Sequence, residues 1–258
     1  MTKLKPCDLA GLSILVTRPA EQAETLCELI QNLRGRPIRF PALEIKGPEN
    51  KKEAQQQLAL IAKTDLVIFI SRNAVQYAFP LLPDNIPLDL QISAVGTATA
   101  NALEEYGLDP TVVPDKMDSE GLLTSPQLQN VKDKNILIIR GNGGRELLAE
   151  TLKERGANVE YAEVYRRQLP QRNAKNLVNG WSQMVDTVVA TSNAILDNLL
   201  TLLGEDGGEL LKQTPLVVVS QRMAEHADAL GCEIIYISDS ATDADVLKTL
   251  CEVNEDIA

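Results

Sequence analysis

The stretch Ser13-Ile14-Leu15-Val16-Thr17-Arg18-Pro19 sets the fold class. A short apolar run ends in a polar turn and passes directly into a helical pattern, the grammar of a buried strand feeding a crossover helix. Ala23, Leu26, Cys27, Ile30 and Leu33 then fall on one helical stripe, which Gly35 stops. The same grammar returns at Ile136-Leu137-Ile138-Ile139-Arg140, followed by Gly141, Gly143 and Gly144 and by a helix carrying Leu147, Leu148 and Leu152 up to Gly156. Arg18 and Arg140 stand at equivalent strand ends.

Two further segments recur. Leu66 to Val75 (LVIFISRNAV) resembles Thr187 to Ile195 (TVVATSNAI), and Ser93 to Ala100 (SAVGTATA) resembles Val217 to Ala224 (VVVSQRMA), so Asn73 pairs with Asn193 and Gly96 with Ser220. Three strand-turn-helix units in the same order, twice, argue for a duplicated α/β domain. The segments after the first and fourth units, 37–45 and 159–167, read as extended. Run side by side, they would form a two-stranded crossing between domains. The expected organisation is therefore a discontinuous first domain (1–36 with 168–258), an inserted second domain (46–158) and linker strands at 37–45 and 159–167.

Composition narrows the function. Of 258 residues, 36 are acidic and 25 basic, and the net charge of −11 disfavours nucleic acid and anionic membranes. No apolar run approaches the roughly 20 residues that span a bilayer. Met1-Thr2-Lys3-Leu4-Lys5-Pro6 leads into a polar segment with no signal-peptide core, so a cytoplasmic location is expected. Cys7, Cys27, Cys232 and Cys251 are scattered, which predicts reduced thiols rather than a disulfide frame. One histidine, His226, excludes a histidine-rich metal site and removes the usual base of a hydrolytic triad.

The candidate site residues lie where parallel strands hand over to helices, the edge at which open α/β sheets bind ligands. Ser71, Asn73, Thr97, Thr99, Ser192, Asn193 and Ser220 are small polar groups that supplement backbone N–H donors there. Their ordinary alternative is helix N-capping. Arg18, Arg140 and Arg222 could each clamp a carboxylate, the alternative being an ion pair within the protein. Gly141-Asn142-Gly143-Gly144 has the look of a phosphate loop without its full motif. Tyr165, in the second linker, either donates from its phenol or packs on the neighbouring strand. Trp181 and Phe40 read as packing residues.

Taken together, the chain resembles the uroporphyrinogen-III synthase family from about Leu12 to Leu250. The carriers are ILVTRP (14–19), FPALEI (40–45), FISRNAV (69–75), AVGTATA (94–100), SEGLL (119–123), IRGNGGR (139–145), VYRR (164–167), TSNAI (191–195) and the final VSQR. The resemblance implies two flavodoxin-like parallel-sheet α/β domains joined by a two-stranded β-ladder. It implies substrate bound between the domains and no metal or organic cofactor. The expected activity is cyclisation of hydroxymethylbilane, with loss of water and inversion of ring D. The family's functional tyrosine falls on Tyr165 and its glycine-threonine turn on Gly96 to Thr99. Two departures stand out: Ile70-Ser71-Arg72-Asn73 where many relatives have F-T-S-x-N-A-V, and Met223 where some carry a threonine. The chain is expected to act as a monomer, with a transient contact to the upstream deaminase. Two competing readings are a non-enzymatic two-domain binder of a small anionic ligand and a nucleotide-dependent enzyme.

Overall fold

The computed structural model describes residues 7–83, 86–87, 90–114, 116, 118–144 and 146–257. Met1 to Pro6, read above for a leader, and Arg145 of the glycine turn lie outside them. Along the chain the strands are β1 (Ser13–Val16), β2 (Arg36–Arg39), β3 (Glu44–Lys46), β4 (Leu66–Phe69), β5 (Gln91–Ala94), β6 (Asn135–Gly141), β7 (Asn158–Gln168), β8 (Thr187–Val189), β9 (Leu216–Val218) and β10 (Ile235–Ile237). The helices are α1 (Ala20–Asn32), α2 (Lys51–Leu58), α3 (Arg72–Ala78), α4 (Thr97–Glu104), α5 (Ser119–Thr124), α6 (Leu147–Glu154), α7 (Lys175–Asn179), α8 (Trp181–Met184), α9 (Asn193–Lys212, interrupted at Gly204), α10 (Gln221–Ala229) and α11 (Asp243–Ile257).

The chain divides into two units, Met1–Glu44 with Gln168–Ala258, and Ile45–Arg167. In the first, the sheet order is β10-β9-β8-β1-β2. Its pairings run parallel, with Ile14 opposite Thr187 and Ile38 on the other side of Leu15. Counted within the unit this is the order 2-1-3-4-5 of a flavodoxin-like doubly wound sheet. Period-two alternation divides its side chains between two cores. Leu15, Val188, Leu216 and Val218 pack on one face with α9 and α10, while Ile14, Val16, Val189 and Val217 pack on the other with α1 and α11.

The second unit repeats the plan, with order β3-β7-β6-β4-β5. Val67, Phe69, Leu137 and Ile139 share one core, and Leu66, Ile68, Ile136 and Ile138 share the other. The sequence repeat maps onto this order strand by strand. β9-β8-β1-β2 in one sheet correspond to β5-β4-β6-β7 in the other. Val112, bridged in parallel to Ser93 of β5, occupies the place that β10 takes beside β9. Neither copy of the repeat is a unit by itself, because each unit takes its strands from both. Segment 37–45 is shared between β2, beside β1, and β3, beside β7. Segment 159–167 lies inside β7, which pairs with β6 from Asn158 to Tyr165. Burying each Ile, Leu or Val of these strands is worth about 1.5–3 kcal/mol, against about 1 kcal/mol for a helix cap. The strands therefore fix where the polar turns sit.

Gly35 closes α1, but not through its own backbone freedom. Arg34 takes the left-handed conformation (φ 63°), Gly35 N–H bonds Ile30 C=O and Arg34 N–H bonds Gln31 C=O. Glycine is required at 35 for space, since a Cβ there would sit 2.7 Å from Ile30 Cγ2. Gly156 fills the left-handed position itself (φ 86°), closing α6 as expected.

The expectation of four reduced thiols is corrected. Cys7 and Cys251 form a disulfide, their Cα atoms 5.8 Å apart across a sequence separation of 244. The discontinuous unit brings the chain ends together: Leu9 and Leu12 pack with Val246, Leu250 and Val253, and Asn254 Nδ2 donates to Asp8 C=O at 2.9 Å. Cys27 and Cys232 are free and buried, and burial pushes both thiols up from the usual thiol range. Without reductant, Cys27 and Cys232 alone should titrate with a thiol reagent, and only in denaturant. Cys251→Ser should lower stability by about 2–4 kcal/mol in a denaturant melt.

Candidate functional site

In a doubly wound sheet the strand order reverses at one point, and a crevice opens there outside the carboxyl ends. In the second unit this point lies between β4 and β6. Ser71 follows β4, Gly141 ends β6, and a register shift after Arg140 sets Gly141 opposite Tyr165 of β7. The bulge turns Val164 and Tyr165 both into the core.

Tyr165 is 2% exposed, its ring 6.0 Å from that of Tyr77 and packed directly on the bare backbone of Gly141. A Cβ at Gly141 would lie 2.5 Å from Tyr165 Cε2, so the ring occupies the space that any other residue would fill. Asn142 clamps the strand beside it, its N–H donating to Tyr165 C=O at 2.9 Å and its Oδ1 accepting from Arg167 N–H at 3.1 Å. At the far end of the ring, the phenol oxygen lies 3.1 Å from Ser71 Oγ and accepts from Arg167 Nη2 at 3.4 Å. A polar cavity of about 300 Å³ opens alongside, lined by Asn50, Gln57, Asn142, Glu163, Tyr165 and Arg166 among others.

Arg140, 2% exposed, turns inward rather than out into the crevice. Its guanidinium bonds Glu146 at 3.0 Å and Gly141 C=O at 3.3 Å, donates to Gly143 C=O, and stacks 4.6 Å from the Tyr161 ring centroid. The glycine turn that looked like a phosphate loop is thus filled by a side chain of its own unit. Tyr161 donates to Glu146, and with Arg140 it holds that carboxyl below its usual range. Burial, then the Glu146 contact, pushes the Tyr161 phenol up to about 12.

The remaining turns are arranged alike. Ser71, Ser192 and Ser220 are all N-caps, accepting from the N–H of Ala74 (3.0 Å), Ile195 (3.2 Å) and Met223 (3.3 Å). A capping hydroxyl accepts with a lone pair and keeps its own proton to donate. Asn73 lies in the first turn of α3, partly exposed. Thr97 opens α4 at the surface, and Thr99 is buried one turn in, its N–H on Gly96 C=O at 3.0 Å.

In the first unit the reversal lies between β1 and β8. Arg18, 7% exposed, ion-pairs with Asp243 and donates to Ala241 C=O at 2.9 Å, tying the turn before α11 to the end of β1. Asn193 opens α9, and its Oδ1 is buried with no hydrogen-bond partner among the described residues. Buried acceptors are rarely left so, and this one marks a place for a donor. Arg222 is exposed in the first turn of α10, and Met223 is buried in the core. His226 pairs with Asp197 at 2.6 Å on the surface. Trp181 is buried and donates to Thr214 Oγ1, and Phe40 is buried beneath Arg172.

Sequence reading singled out neither Arg167 nor Asn142 as a contact of Tyr165. Both depend on the register shift, which leaves no mark in composition or periodicity. Glu146 and Tyr161 were missed for the same reason: they come together only once β6 and β7 are paired.

A family model described as uroporphyrinogen-III synthase HemD matches residues 24–248. The uroporphyrinogen-III synthase of Salmonella typhimurium is 36% identical over 245 residues, covering 93% of this chain and 100% of the relative. That of Escherichia coli is 34% identical over 252 residues, with the same two coverages. Among solved structures, a mutant uroporphyrinogen III synthase of Thermus thermophilus superposes with a TM-score of 0.66 at 20% identity, covering 95% of this chain and 100% of that one. The uroporphyrinogen-III synthetase of Helicobacter pylori gives 0.59 at 15% identity, covering 92% and 97%. Both structures share the fold.

Replacing Gly141 by alanine should displace the Tyr165 ring and cost about 1–3 kcal/mol of stability in a denaturant melt. The Arg140–Glu146 contact should show in the pH dependence of melting. A carboxyl with a lowered folded value stabilises above its unfolded value and loses that stabilisation as pH falls. The melting difference between the wild type and Glu146→Gln should therefore shrink as pH drops below the ordinary glutamate value of 4.5.

Proposed function

The chain belongs to the uroporphyrinogen-III synthase family, and from that premise we propose that it converts hydroxymethylbilane to uroporphyrinogen III, a lyase reaction of porphyrin and haem biosynthesis. The observation that carries the reading is the similarity along the full length of both enterobacterial synthases. The Ser71–Tyr165 pair at the strand-order reversal supports it with chemistry of the right kind.

The reaction asks for one proton and much positioning. The pyrrole that bears the hydroxymethyl group is electron-rich and releases that oxygen as water once it is protonated. The resulting cation must meet the substituted carbon of ring D, pass through a spiro intermediate and close with that ring inverted. Closure without guidance gives the uninverted type I isomer. Holding reacting atoms in place is worth up to about 7–11 kcal/mol of barrier, whereas general acid catalysis contributes typically about 10²–10⁴-fold. The fold is organised for the first, and Tyr165 is the source of the proton for the second.

Ser71, Asn73, Thr97, Thr99 and Gly141 of one unit, and Ser192, Asn193, Ser220 and Arg222 of the other, contact the substrate. Arg18 and Arg140 act through the turns they hold in place. A polycarboxylate can bind a chain of net charge −11, because screening over about 8 Å leaves distant surface acids little influence compared with helix N-termini at the turns. The enzyme works as a cytoplasmic monomer and receives its unstable substrate by transient contact with the upstream deaminase. No helix among the described residues is long and apolar enough to cross a membrane.

Freshly prepared hydroxymethylbilane, incubated with the purified chain and resolved by isomer, tests the proposal. Type III product should predominate. Type I at the uncatalysed rate would overturn it. Tyr165→Phe should slow type III formation by about 10²-fold or more.

A further inference from the structure

The Tyr165 phenol is buried, so the group that meets the substrate must lie in front of it. We infer that Ser71 is that group: its hydroxyl hands the proton to the departing oxygen of the hydroxymethyl group, and Tyr165 resupplies it from behind. The inference rests on the function proposed above.

Hydrogen-bond polarity carries the argument. Arginine has donors only, so at 3.4 Å Arg167 Nη2 can only donate to the phenol oxygen of Tyr165. The phenol is buried, and among the described residues Ser71 Oγ at 3.1 Å is the acceptor within reach of its proton. Ser71 Oγ also accepts from Ala74 N–H at 3.0 Å, so both its lone pairs are engaged. Its own O–H is the one bond left to make. Ser71 is partly exposed at the carboxyl edge of β4, at the strand-order reversal, and Tyr165 is not exposed. The chain Arg167 to Tyr165 to Ser71 thus has a single polarity and ends in an outward proton. Ser192 and Ser220 cap their helices in the same way, but among the described residues neither is hydrogen-bonded to a second hydroxyl.

The step balances. The C–O bond of the hydroxymethyl group breaks, and its electron pair stays on oxygen, which takes the Ser71 proton and leaves as water. Ser71 Oγ takes the Tyr165 proton, and the phenolate formed lies against the Arg167 guanidinium. The proton lost from ring D's side when the macrocycle closes returns by the same path, so the enzyme ends as it began.

The test uses the full chain, with wild-type formation of type III as its precondition; its absence would sink the parent reading alone. Ser71→Ala and Tyr165→Phe should each lower kcat by about 10²-fold, with KM little changed. The double variant should fall little further, since both act on one proton. Ser71→Asn keeps an acceptor for Ala74 N–H but has no hydroxyl, and should be as slow as Ser71→Ala. Ser71→Thr should restore most of the rate. A bilane carrying an acyloxymethyl group, which departs without a proton, should be closed by wild type and Ser71→Ala at similar rates. Near-normal turnover of hydroxymethylbilane by Ser71→Asn, or an equal loss on the acyloxy substrate, would overturn the inference.

Discussion

The parallel pairing of β1 with β8, Ile14 against Thr187 and Val16 against Val189, is the constraint on which the rest depends. It joins residues some two-thirds of the chain apart and is sealed by Asp186, whose N–H donates to Ser13 C=O at 2.9 Å and whose carboxylate accepts from Ser13 N–H at 2.7 Å. Such a contact rewards the chain only after a long loop has closed. Once it forms, β1 lies between β2 and β8, and β1, β8, β9 and β10 each hand over to a helix at one edge of that sheet. The pairing of β4 with β6 does the same for the other unit. Polar turns that are scattered in sequence become neighbours because parallel strands all end on the same side.

What each turn does then depends on its nearest partner. The two buried arginines are held by Asp243 and Glu146, and through those pairs they fix the loops around them. Removing either carboxylate would leave a guanidinium buried without its counter-charge, the costly half of such a pair. The serines behave differently, since a capping hydroxyl satisfies the helix with a lone pair and retains a proton. Capping on Ser71 therefore leaves a proton free for a ligand, where sequence alone set capping and ligand contact as alternatives. Gly141 adds the steric condition, for the Tyr165 ring reaches Ser71 only across a backbone with no side chain.

The strands and their duplication were legible because a strand buried on both faces is written as a continuous apolar run: ILV at 14–16, LVIF at 66–69 and ILII at 136–139. Turn positions followed from them. Contacts that depend on three-dimensional closure were not legible. Cys7 and Cys251 look unrelated in sequence, and only the discontinuous unit brings them together. Arg34, not Gly35, takes the left-handed step after α1, and Gly35 serves by leaving room where a Cβ would meet Ile30 and Leu9. Tyr165 was named from its place in the linker and from resemblance, but its burial, its clamp by Asn142 and its bond to Ser71 follow from one register shift between β6 and β7. Arg140 read as a ligand clamp because nothing in the local sequence announces Glu146 and Tyr161 as its partners.

The central proposal is that the polycarboxylate substrate engages the strand-end turns around Ser71, at the strand-order reversal of the second unit. Amide NMR of the chain titrated with a bilane that lacks the leaving hydroxyl tests it most directly. The account predicts that the amides of Ser71, Gly96 and Asn142 shift together along one binding curve. Shifts absent from these turns, or gathered at the amino ends of the strands, would contradict it.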